Sequence, residues 1–458
     1  QRSSINSEAG RIGFVGDKQT VYAELTVLLL ADCRYAEAFA YVERAKARAL
    51  VDLLASQKDI KIHGGKTEQI KTTLSELNKA ENDLTFVAQA QNKEGQSKTR
   101  SIVLALKKDL QEKVPELASL VSVTTPSTAE IQSMIKDDET LLEYYSAGKE
   151  WYVFILTGKT IVAQKLPVLD LGNNIDALRK NITTRNLPGF NQYSRTLYRQ
   201  IFALVAPSIK TKKLIIVPHG PLHYLPFAAL SDGEEYLIDR FSIRMLPSAG
   251  ILSFLQERMK QEDLGALIFG NPKLADPKYD LKFAQEEALA IGKMIPNSKV
   301  LLSSDASKTN LQTLGSKYFI IHLAVHGVFD LDKPLNSALL LSADRNNDGL
   351  LRAADLYNLS LNADLVTLSA CETALGKVAT GDDVVGFTRG FLYAGARSLI
   401  SSLWQVDDEA TRDLMIIFYT NLSKMRKDES LRQAQLVTKK KYPHPYYWAA
   451  FLLTGKGE

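Results

Sequence analysis

From residue 265 onward the chain alternates short apolar runs with segments whose apolar residues recur every three or four positions. The apolar runs predict strands and the periodic segments predict helices. The predicted order is LGALIFG, a helix over 284–294, KVLL, a helix near 308–315, YFIIHLAVHG, LVTLSAC, a helix near 384–395, SLISSLW and a helix over 408–422. Apolar strands that alternate with helices predict an α/β fold, with a mainly parallel sheet covered on both faces.

The preceding region has a different pattern. Three runs joined by glycine-containing turns, TLLEYYSAG, EWYVFILTG and KTIVAQKLP, predict an antiparallel meander. Helical patterns at roughly 170–205 and a strand, LIIVP at 214–218, follow it. The stretch TTPSTAE at 124–130 predicts a boundary, because it contains a proline and because Ser127 and Glu130 match a capping box that begins a short helix.

The N-terminal region is predicted to be helical. Residues 18–57 carry apolar side chains at helical spacing on both sides of a break near Asp32, which predicts two antiparallel helices. From about 67 to 120 a near-heptad spacing predicts a helical hairpin broken around Asn92–Ser97. The first pair resembles the last unit of a tetratricopeptide repeat, through Tyr22, Leu25, Leu28, Tyr35, Ala38 and Phe39. One unit cannot bury its own face, so we expect further repeats before Gln1.

Composition indicates a globular protein. The chain is 45% hydrophobic and 24% charged, which argues against disorder. Its 56 Lys and Arg and 52 Asp and Glu are mixed along the chain, so we expect no direct contact with nucleic acid. No apolar run reaches the roughly 18 residues of a membrane helix, and the polar start QRSSINSEAG lacks a signal-peptide core. We therefore expect a cytoplasmic protein without membrane contact, with further sequence upstream because the chain does not begin with Met.

Two consecutive predicted strands end in residues with reactive side chains. YFIIHLAVHG ends at His326 and Gly327, and LVTLSAC ends at Cys371. Functional residues in such sheets gather beyond the carboxyl ends of the strands, so we expect the imidazole and the thiol to meet at one edge. A lone buried cysteine or histidine is usually structural, and the prediction depends on the pair.

A cysteine–histidine pair can perform nucleophilic catalysis. A free thiol has a pKa of about 8.5 and is only a few per cent thiolate at neutral pH, whereas a nearby imidazole can remove its proton and later protonate a leaving amine. Gly327 has no side chain, so its backbone N–H can approach a ligand closely. With the N–H of Cys371 it would form an oxyanion hole, in which one donor is commonly worth about 3 kcal/mol.

The string LVTLSACETALGKVATGDDVVGFTRGFLYAGARSLISSLWQVDDEAT over 365–411, with HLAVHG before it, closely resembles the CHAT domains. These are caspase-like cysteine proteases commonly attached to tetratricopeptide repeats, related to caspases and separases, with bacterial members in defence and programmed cell death. The resemblance extends through LIIVPHGPLHYLPFAAL, GNP at 270–272 and HPYYWAAFLLTG at 444–455, and so covers roughly 130–458.

The resemblance implies a caspase-like α/β/α sandwich with a degenerate, noncatalytic half-domain. It also implies a catalytic dyad of His326 and Cys371 and an oxyanion glycine at Gly327. Some caspase-like relatives with basic specificity carry Asp two residues before the nucleophile. Here that residue is Ser369, so the usual basis for predicting cleavage after Arg or Lys is missing.

Other histidines compete with His326. His322 is four residues earlier, about 13 Å away on one strand, and we expect it to be a hydrogen-bonded core residue. His219 and His223 follow the strand LIIVP, and the glycine after His219 imitates the His-Gly pair of caspases. We expect both to be structural or to line the cleft, and His444 to be a packing residue that closes the domain.

The sequence predicts no metal site and no cofactor. No Cys or carboxylate stands at ligand spacing beside the paired histidines, and no phosphate-binding loop of the form GxxxxGK[ST] is present. The two cysteines are far apart, so no disulfide is expected, and we expect Cys33 to be a packing residue of the helical repeat.

Candidates for the substrate pocket are Asp382, Asp383, Trp404, Gln405 and Asp407. The two adjacent aspartates precede a helix, where they either cap it or border the cleft. The other three end the next strand, where caspase-like proteases line the pocket for the residue before the cut. Asp408, which follows them, either joins this pocket or caps the next helix.

These observations predict a cysteine endopeptidase that cleaves a protein substrate and is regulated by a protein partner through its N-terminal helices. The alternative is a catalytically silent interaction scaffold, which an intact His, Gly and Cys disfavour. The predicted divisions are a repeat-like region over 1–57, a helical linker over 58–125, a noncatalytic half over 126–263 and a catalytic half over 264–458.

Overall fold

The computed structural model describes residues 22–56, 72–73, 76, 80, 93–113, 126–256, 265–328, 337–369 and 387–458. The described part of the N-terminal region is helical, with α1 over 22–31, α2 over Tyr35–Ser56 and α3 over Lys93–Lys113. Both helices predicted within 18–57 are therefore confirmed. None of the helices in these ranges combines the length and the apolar content that crossing a membrane requires.

The turn between α1 and α2 corrects the interpretation of Cys33. The N–H of Arg34 donates to the carbonyl of Leu29 and the N–H of Cys33 to that of Leu30, and Cys33 itself adopts a φ of 57°. This is the Schellman arrangement, in which the residue after the helix end is left-handed. Cys33 is consequently exposed at the turn and is not a packing residue.

The predicted break around Asn92–Ser97 is also wrong where the structure describes it. α3 is already helical from Lys93 through Gly95 and beyond Ser97. A single glycine inside a helix costs only about 1 kcal/mol relative to alanine, and the lysines, glutamine and leucines along α3 are good helix formers.

The remainder of the chain alternates strands and helices as predicted. The capping box at Ser127 and Glu130 is present and begins α4. The further helices are α4 Thr128–Met134, α5 Leu171–Thr183, α6 Leu187–Ile201, α7 Leu237–Arg240, α8 Ile251–Gln256, α9 Lys282–Met294, α10 Lys308–Leu314, α11 Ala353–Leu356, α12 Phe387–Tyr393, α13 Asp408–Leu422 and α14 Lys427–Lys441. The strands are β1 Glu139–Ala147, β2 Glu150–Leu156, β3 Ile161–Leu166, β4 Lys213–Val217, β5 Ser242–Met245, β6 Ala266–Pro272, β7 Lys299–Ser303, β8 Ile320–Ala324, β9 His326–Val328, β10 Ala338–Leu340, β11 Leu350–Arg352, β12 Leu365–Leu368, β13 Ser398–Ser402 and β14 Phe451–Gly455.

Eleven of these strands form one continuous sheet in the order β3-β2-β1-β4-β5-β14-β13-β12-β8-β6-β7. β1, β2 and β3 form the predicted antiparallel meander, while β12, β8, β6 and β7 are parallel. β14 pairs with β13 on one side and with β5 on the other, so it joins the two predicted halves. β9, β10 and β11 form a separate three-stranded antiparallel sheet.

Alternate residues of the central strands enter different apolar clusters. Leu142 of β1 and Ile268 of β6 belong to one large cluster with α5, α6, α9, α13 and α14. Leu267 of β6 belongs to a cluster with α10, α11 and α12 on the other face, and Leu141 of β1 to one with α1, α2, α4 and α8. Strand side chains alternate between the faces of a sheet, so these clusters form an α/β/α sandwich, as the sequence predicts.

Ion pairs at the start of β1 join the two predicted halves. Glu139, the first residue of β1, contacts the guanidinium groups of Arg244 and Arg426 at 3.3 and 3.0 Å. Burial acts to raise the pKa of Glu139, but these two cations bring it below its usual value. Next to β12 and β13, Asp364 pairs with Arg397 and with the buried Lys427.

A buried polar cluster fastens α2 to the sheet. The N–H groups of Ala249 and Gly250 donate to the carboxylate of Glu43, at 3.1 and 2.6 Å. The ammonium of Lys46 lies 3.1 Å from the carboxylate of Glu143 on β1, which is fully buried. Burial and the neighbouring Glu43 raise the pKa of Glu143 well above its usual 4.5, although Lys46 opposes the shift.

Substitution of Gly270 tests the close approach of β6 and α9. A Cβ at this position would lie 2.5 Å from the Cβ of Ala288 and 3.0 Å from the carbonyl oxygen of Ala284. We expect Gly270→Ala to destabilise the protein by about 1–3 kcal/mol, measured from urea unfolding. The control is Gly172→Ala in α5, where nothing lies within 4 Å and helix propensity favours Ala by up to about 1 kcal/mol. Equal stability of the two variants would contradict the close approach.

Two glutamate substitutions in the α2 cluster should behave differently with pH. A carboxyl whose pKa is raised on folding contributes stability that is fully present below its unfolded pKa and is lost as pH rises through its folded pKa. Glu143→Gln mimics the neutral form, so its local stability relative to wild type should increase from pH 5 to pH 8.5. Glu43→Gln places an amide N–H₂ against a backbone donor and should destabilise α2 by about 1–3 kcal/mol at both pH values.

Amide hydrogen exchange, corrected for intrinsic rates, reports the local stability of α2 and therefore measures the effect of each substitution. Glu37→Gln is the matched control, because Glu37 is on the same helix and its side chain is 55% exposed. If α2 exchanges its amide protons faster in Glu143→Gln than in wild type at pH 8.5, the proton on Glu143 has no stabilising role.

Candidate active site

His326 lies just beyond the point where β8 leaves the large sheet. The last pair of β8 with β6 joins Ala324 to Gly270. His326 then begins β9, which pairs with β10 in the small sheet and places Leu340 opposite His326. The prediction of one strand that ends on His-Gly is therefore wrong. Backbone N–H and C=O groups need partners, and those of β9 that face β10 find them in the small sheet, of which β9 is an edge strand.

The imidazole of His326 is held by the segment that follows β6. Its Nε2 lies 3.0 Å from the carbonyl oxygen of Tyr279, and the two rings meet edge to face with centroids 5.3 Å apart. A carbonyl oxygen only accepts hydrogen bonds, so Nε2 carries the proton. In the neutral ring Nδ1 is then the nitrogen with a free lone pair, the one that can take a proton from another group.

β12 reaches the same edge of the sheet beside β8. The two strands are parallel neighbours, with Leu368 opposite Leu323, and the N–H of Ser369 still donates to the carbonyl of Leu323. The hydroxyl of Ser369 is buried and makes no hydrogen bond with the described part of the chain. Cys371 lies outside the described residues, so its proximity to His326 stays a prediction.

α13 begins near His326. Asp407 is its N-cap, because its carboxylate accepts the N–H of Ala410 at 3.0 Å, and Asp408 is its first residue. Asp408 is half-buried, and burial raises its pKa. His326 opposes this shift, and the carboxylates of Asp407 and Glu287 reinforce it. Asp407, and not Asp408, therefore caps α13. Of the two alternatives for Asp408, the one in which it caps this helix is wrong.

A buried polar network lies between β8, β12 and the helices behind them. The hydroxyl of Tyr419 on α13 is 2.9 Å from the hydroxyl of Thr367 on β12 and 3.1 Å from Nδ1 of His322 on β8. Nε2 of His322 lies 2.8 Å from a carboxylate oxygen of Glu287 on α9. His322 is fully buried, so it is the hydrogen-bonded core residue that the sequence predicts.

The pocket candidates separate into different environments. Trp404 is only 1% exposed and its indole N–H donates to the carbonyl of Tyr446, so it is a core side chain and presents no surface to a substrate. Its assignment to the pocket is wrong for this conformation, because the apolar indole gains more from burial in the core. Gln405 is exposed and Asp407 is half-buried. Asp382 and Asp383 lie outside the described residues.

Residues 191–456, more than half of the chain, match the family described as the CHAT domain. The chain belongs to this family. Over 306 residues it is 29% identical to human tetratricopeptide repeat protein 28 and 28% identical to the mouse protein of the same name. Each alignment covers 54% of this chain and 12% of the relative. The chain thus spans about an eighth of the length of these curated relatives.

The fold of the chain is similar to that of a solved structure. The structure of the Saccharomyces cerevisiae separase–securin complex matches with a TM-score of 0.53 at 11% identity, and the match covers 94% of this chain and 37% of that chain. At this identity the likeness shows the fold alone. It confirms the predicted caspase-like α/β class with a helical N-terminal region.

The rival histidines lie away from the edge shared by β8 and β12 in this CHAT domain. His219 follows β4, which is four strands from β12, or about 19 Å at the usual spacing of strands. Its ring packs edge to face on Tyr145 and Trp151. His444 accepts the N–H of Tyr446, and burial together with nearby Arg185 lowers its pKa.

The contact of His326 with Tyr279 was not predicted from the sequence. It involves a main-chain oxygen, which every residue has, so no residue type indicates it. The one relevant signal is the GNP motif at 270–272, which contains Asn271. Across the described ranges, no group of three or more His, Cys, Asp and Glu side chains is placed to hold a metal ion.

Removal of the Tyr419 hydroxyl tests the network between the two strands. Burial raises the pKa of Tyr419 well above its usual value, so the hydroxyl stays neutral. Tyr419→Phe leaves the buried groups of Thr367 and His322 without their shared partner, and should destabilise the protein by about 1–3 kcal/mol in urea unfolding. Tyr193→Phe is the control, since the described structure shows no hydrogen bond from that half-buried tyrosine. A loss of the same size in both variants would mean that the network contributes nothing specific.

Proposed function

We propose that the chain is a cysteine endopeptidase, with Cys371 as nucleophile and His326 as general base. The contact of His326 with Tyr279 is the observation that carries the proposal. It assigns the ring proton to Nε2 and leaves Nδ1 to exchange protons at the end of β8. The neighbouring parallel strand, β12, leads directly into the segment that contains Cys371. Membership of the CHAT family and the separase-like fold support the same chemistry.

The proposed reaction uses each group twice. Nδ1 of His326 takes the proton of the Cys371 thiol, and the sulfur attacks the substrate carbonyl carbon. As the C–N bond breaks, the imidazolium returns the proton to the departing amine, which leaves a thioester on Cys371. Water then attacks the thioester while its proton passes to Nδ1; as the C–S bond breaks, Nδ1 returns this proton to the departing sulfur, which releases the carboxylic acid and restores the thiol.

We assign the oxyanion hole to the N–H groups of Gly327 and Cys371. Asp382, Asp383, Gln405 and Asp407 are the proposed pocket residues. The neutral, buried hydroxyl of Ser369 stands near the end of β12, and we propose that it leaves the pocket without the negative charge that would select a basic side chain.

We propose that a protein partner regulates the peptidase through the N-terminal helices. The buried contacts of Glu43 and Lys46 with the sheet support this role, because movement of α2 would break them. The proposed units are the repeat-like region over 1–57, the linker over 58–125, the noncatalytic half over 126–263 and the catalytic half over 264–458. Securin is bound in the separase structure, which gives one case of a protein partner on this fold.

Iodoacetamide labelling from pH 5 to pH 9, with the labelled sites mapped by mass spectrometry, tests the dyad. Cys33 is exposed and serves as the reference thiol in the same molecule. An ordinary thiol is about 1% thiolate at pH 6.5, so activation can accelerate Cys371 labelling up to about 100-fold at that pH. We expect His326→Ala to remove this acceleration and Cys371→Ala to remove the label.

His219→Ala is the matched histidine control and should leave the labelling of Cys371 unchanged. If Cys371 follows the pH profile of Cys33 and His326→Ala has no effect, the dyad does not exist and the scaffold function becomes the better account. If the dyad is present, mass spectrometry of new N-termini produced by wild type but not by Cys371→Ala identifies the substrate.

A further inference from the structure

Asn271 occupies an unusual position at the end of β6. The pairing of β6 with β7 shifts register between Gly270 and Pro272, and Asn271 between them adopts a φ of 47°. Asparagine tolerates this left-handed conformation better than other residues with a side chain. The irregularity ends the ladder just before the chain leaves the sheet toward the segment that contacts His326.

The side-chain amide of Asn271 closes that segment into a loop. Its Nδ2 donates to the carboxylate of Asp280 at 2.6 Å, and its Oδ1 accepts the N–H of Leu281 at 2.8 Å. One amide therefore uses a donor and an acceptor on two consecutive residues. The loop that it closes contains the 3₁₀ turn Pro277–Tyr279.

The closed loop presents the carbonyl that binds His326. The turn is supported from within, because the N–H of Tyr279 donates to the carbonyl of Asp276 and the N–H of Lys278 to its side chain. The carbonyl of Tyr279 belongs to the same planar peptide unit as the N–H of Asp280. The Asn271 amide holds the side chain of Asp280 and the N–H of Leu281, so it restricts how this peptide can turn.

We propose that Asn271 is a positioning residue for His326, acting through the carbonyl of Tyr279. By fixing the Tyr279–Asp280 peptide, it keeps an acceptor against Nε2–H and keeps Nδ1 available as the base. This role rests on the proposed function of His326, but the contact that it controls can be observed without catalysis. If the hydrogen bonds of Asn271 only stabilised the loop, their removal would leave His326 unaffected.

Exchange of the two polar partners tests the role directly. Asn271→Asp retains a residue that tolerates positive φ and retains the acceptor for Leu281, but it replaces the N–H₂ donor with a carboxylate facing Asp280. Adding Asp280→Asn restores this hydrogen bond with the roles exchanged, because the amide at position 280 can then donate to the carboxylate at position 271. Asn271→Gly fits the backbone without strain and removes both hydrogen bonds, so Asp280→Asn should not rescue it.

The first readout is the labelling of Cys371 by iodoacetamide at pH 6.5. We expect Asn271→Asp and Asn271→Gly to slow it at least tenfold and to move its pH profile toward that of Cys33. The double variant Asn271→Asp/Asp280→Asn should return to within about threefold of wild type. Asn297→Asp is the matched control, because Asn297 also has a positive φ, of 57°, but lies in the turn between α9 and β7.

The second readout is the Nε2–H proton of His326 in NMR spectra of protein with ¹⁵N-labelled histidine, assigned with His326→Ala. In wild type we expect this proton to exchange slowly with solvent, since it is hydrogen-bonded to the carbonyl oxygen of Tyr279. Its exchange should accelerate at least tenfold in Asn271→Asp and Asn271→Gly and recover in the double variant. An unchanged proton signal in both single variants would overturn the proposal. If wild-type Cys371 behaves as an ordinary thiol, the peptidase proposal fails, and the proton signal still decides whether Asn271 positions His326.

Discussion

β8 is held on both sides by parallel neighbours, and the candidate site depends on this pairing. β6 and β12 accompany β8 to Ala324 and Leu323 and no further. Beyond these residues the three strands diverge, with β8 leading to His326, β12 to Ser369 and β6 to Asn271. Because all three run in the same direction, the residues that leave them do so at one edge. A shift in register of a single residue would exchange the faces of every side chain that follows.

Two regions of the sheet differ in electrostatic character. At the start of β1 and in the segments before β12 and β13, carboxylates and guanidinium groups with little exposure are paired with each other, as at Glu139 and Asp364. Removing one partner of such a pair leaves an uncompensated, largely buried charge, so these contacts resist rearrangement. Beyond the ends of β8 and β13, half-buried and exposed groups such as His326, Asp408 and Gln405 retain access to solvent. The paired charges and the candidate site therefore lie in different parts of one sheet.

The sequence predicts those features that side-chain patterns encode. Apolar periodicity gave the order of strands and helices, the capping box at Ser127 gave the start of α4, and the burial of His322 followed from its depth along a strand. The division of YFIIHLAVHG was missed because it depends on where β6 and β12 stop pairing, which lies outside that segment. The Tyr279 contact uses a main-chain oxygen, and the burial of Trp404 depends on packing against distant residues such as Tyr446.

The position of β14 has a consequence for how the molecule is made. Among the described strands, residues 451–455 come last in the chain, yet they lie in the interior of the sheet, between β5 and β13. On the ribosome, the strands from both halves emerge first, and the gap between them persists until this segment has been synthesised. Domains fold largely as units during synthesis, so the two halves can join through β14 only after residues 451–455 have emerged. Until then, a nascent chain lacks the strand that makes the sheet continuous between β5 and β13.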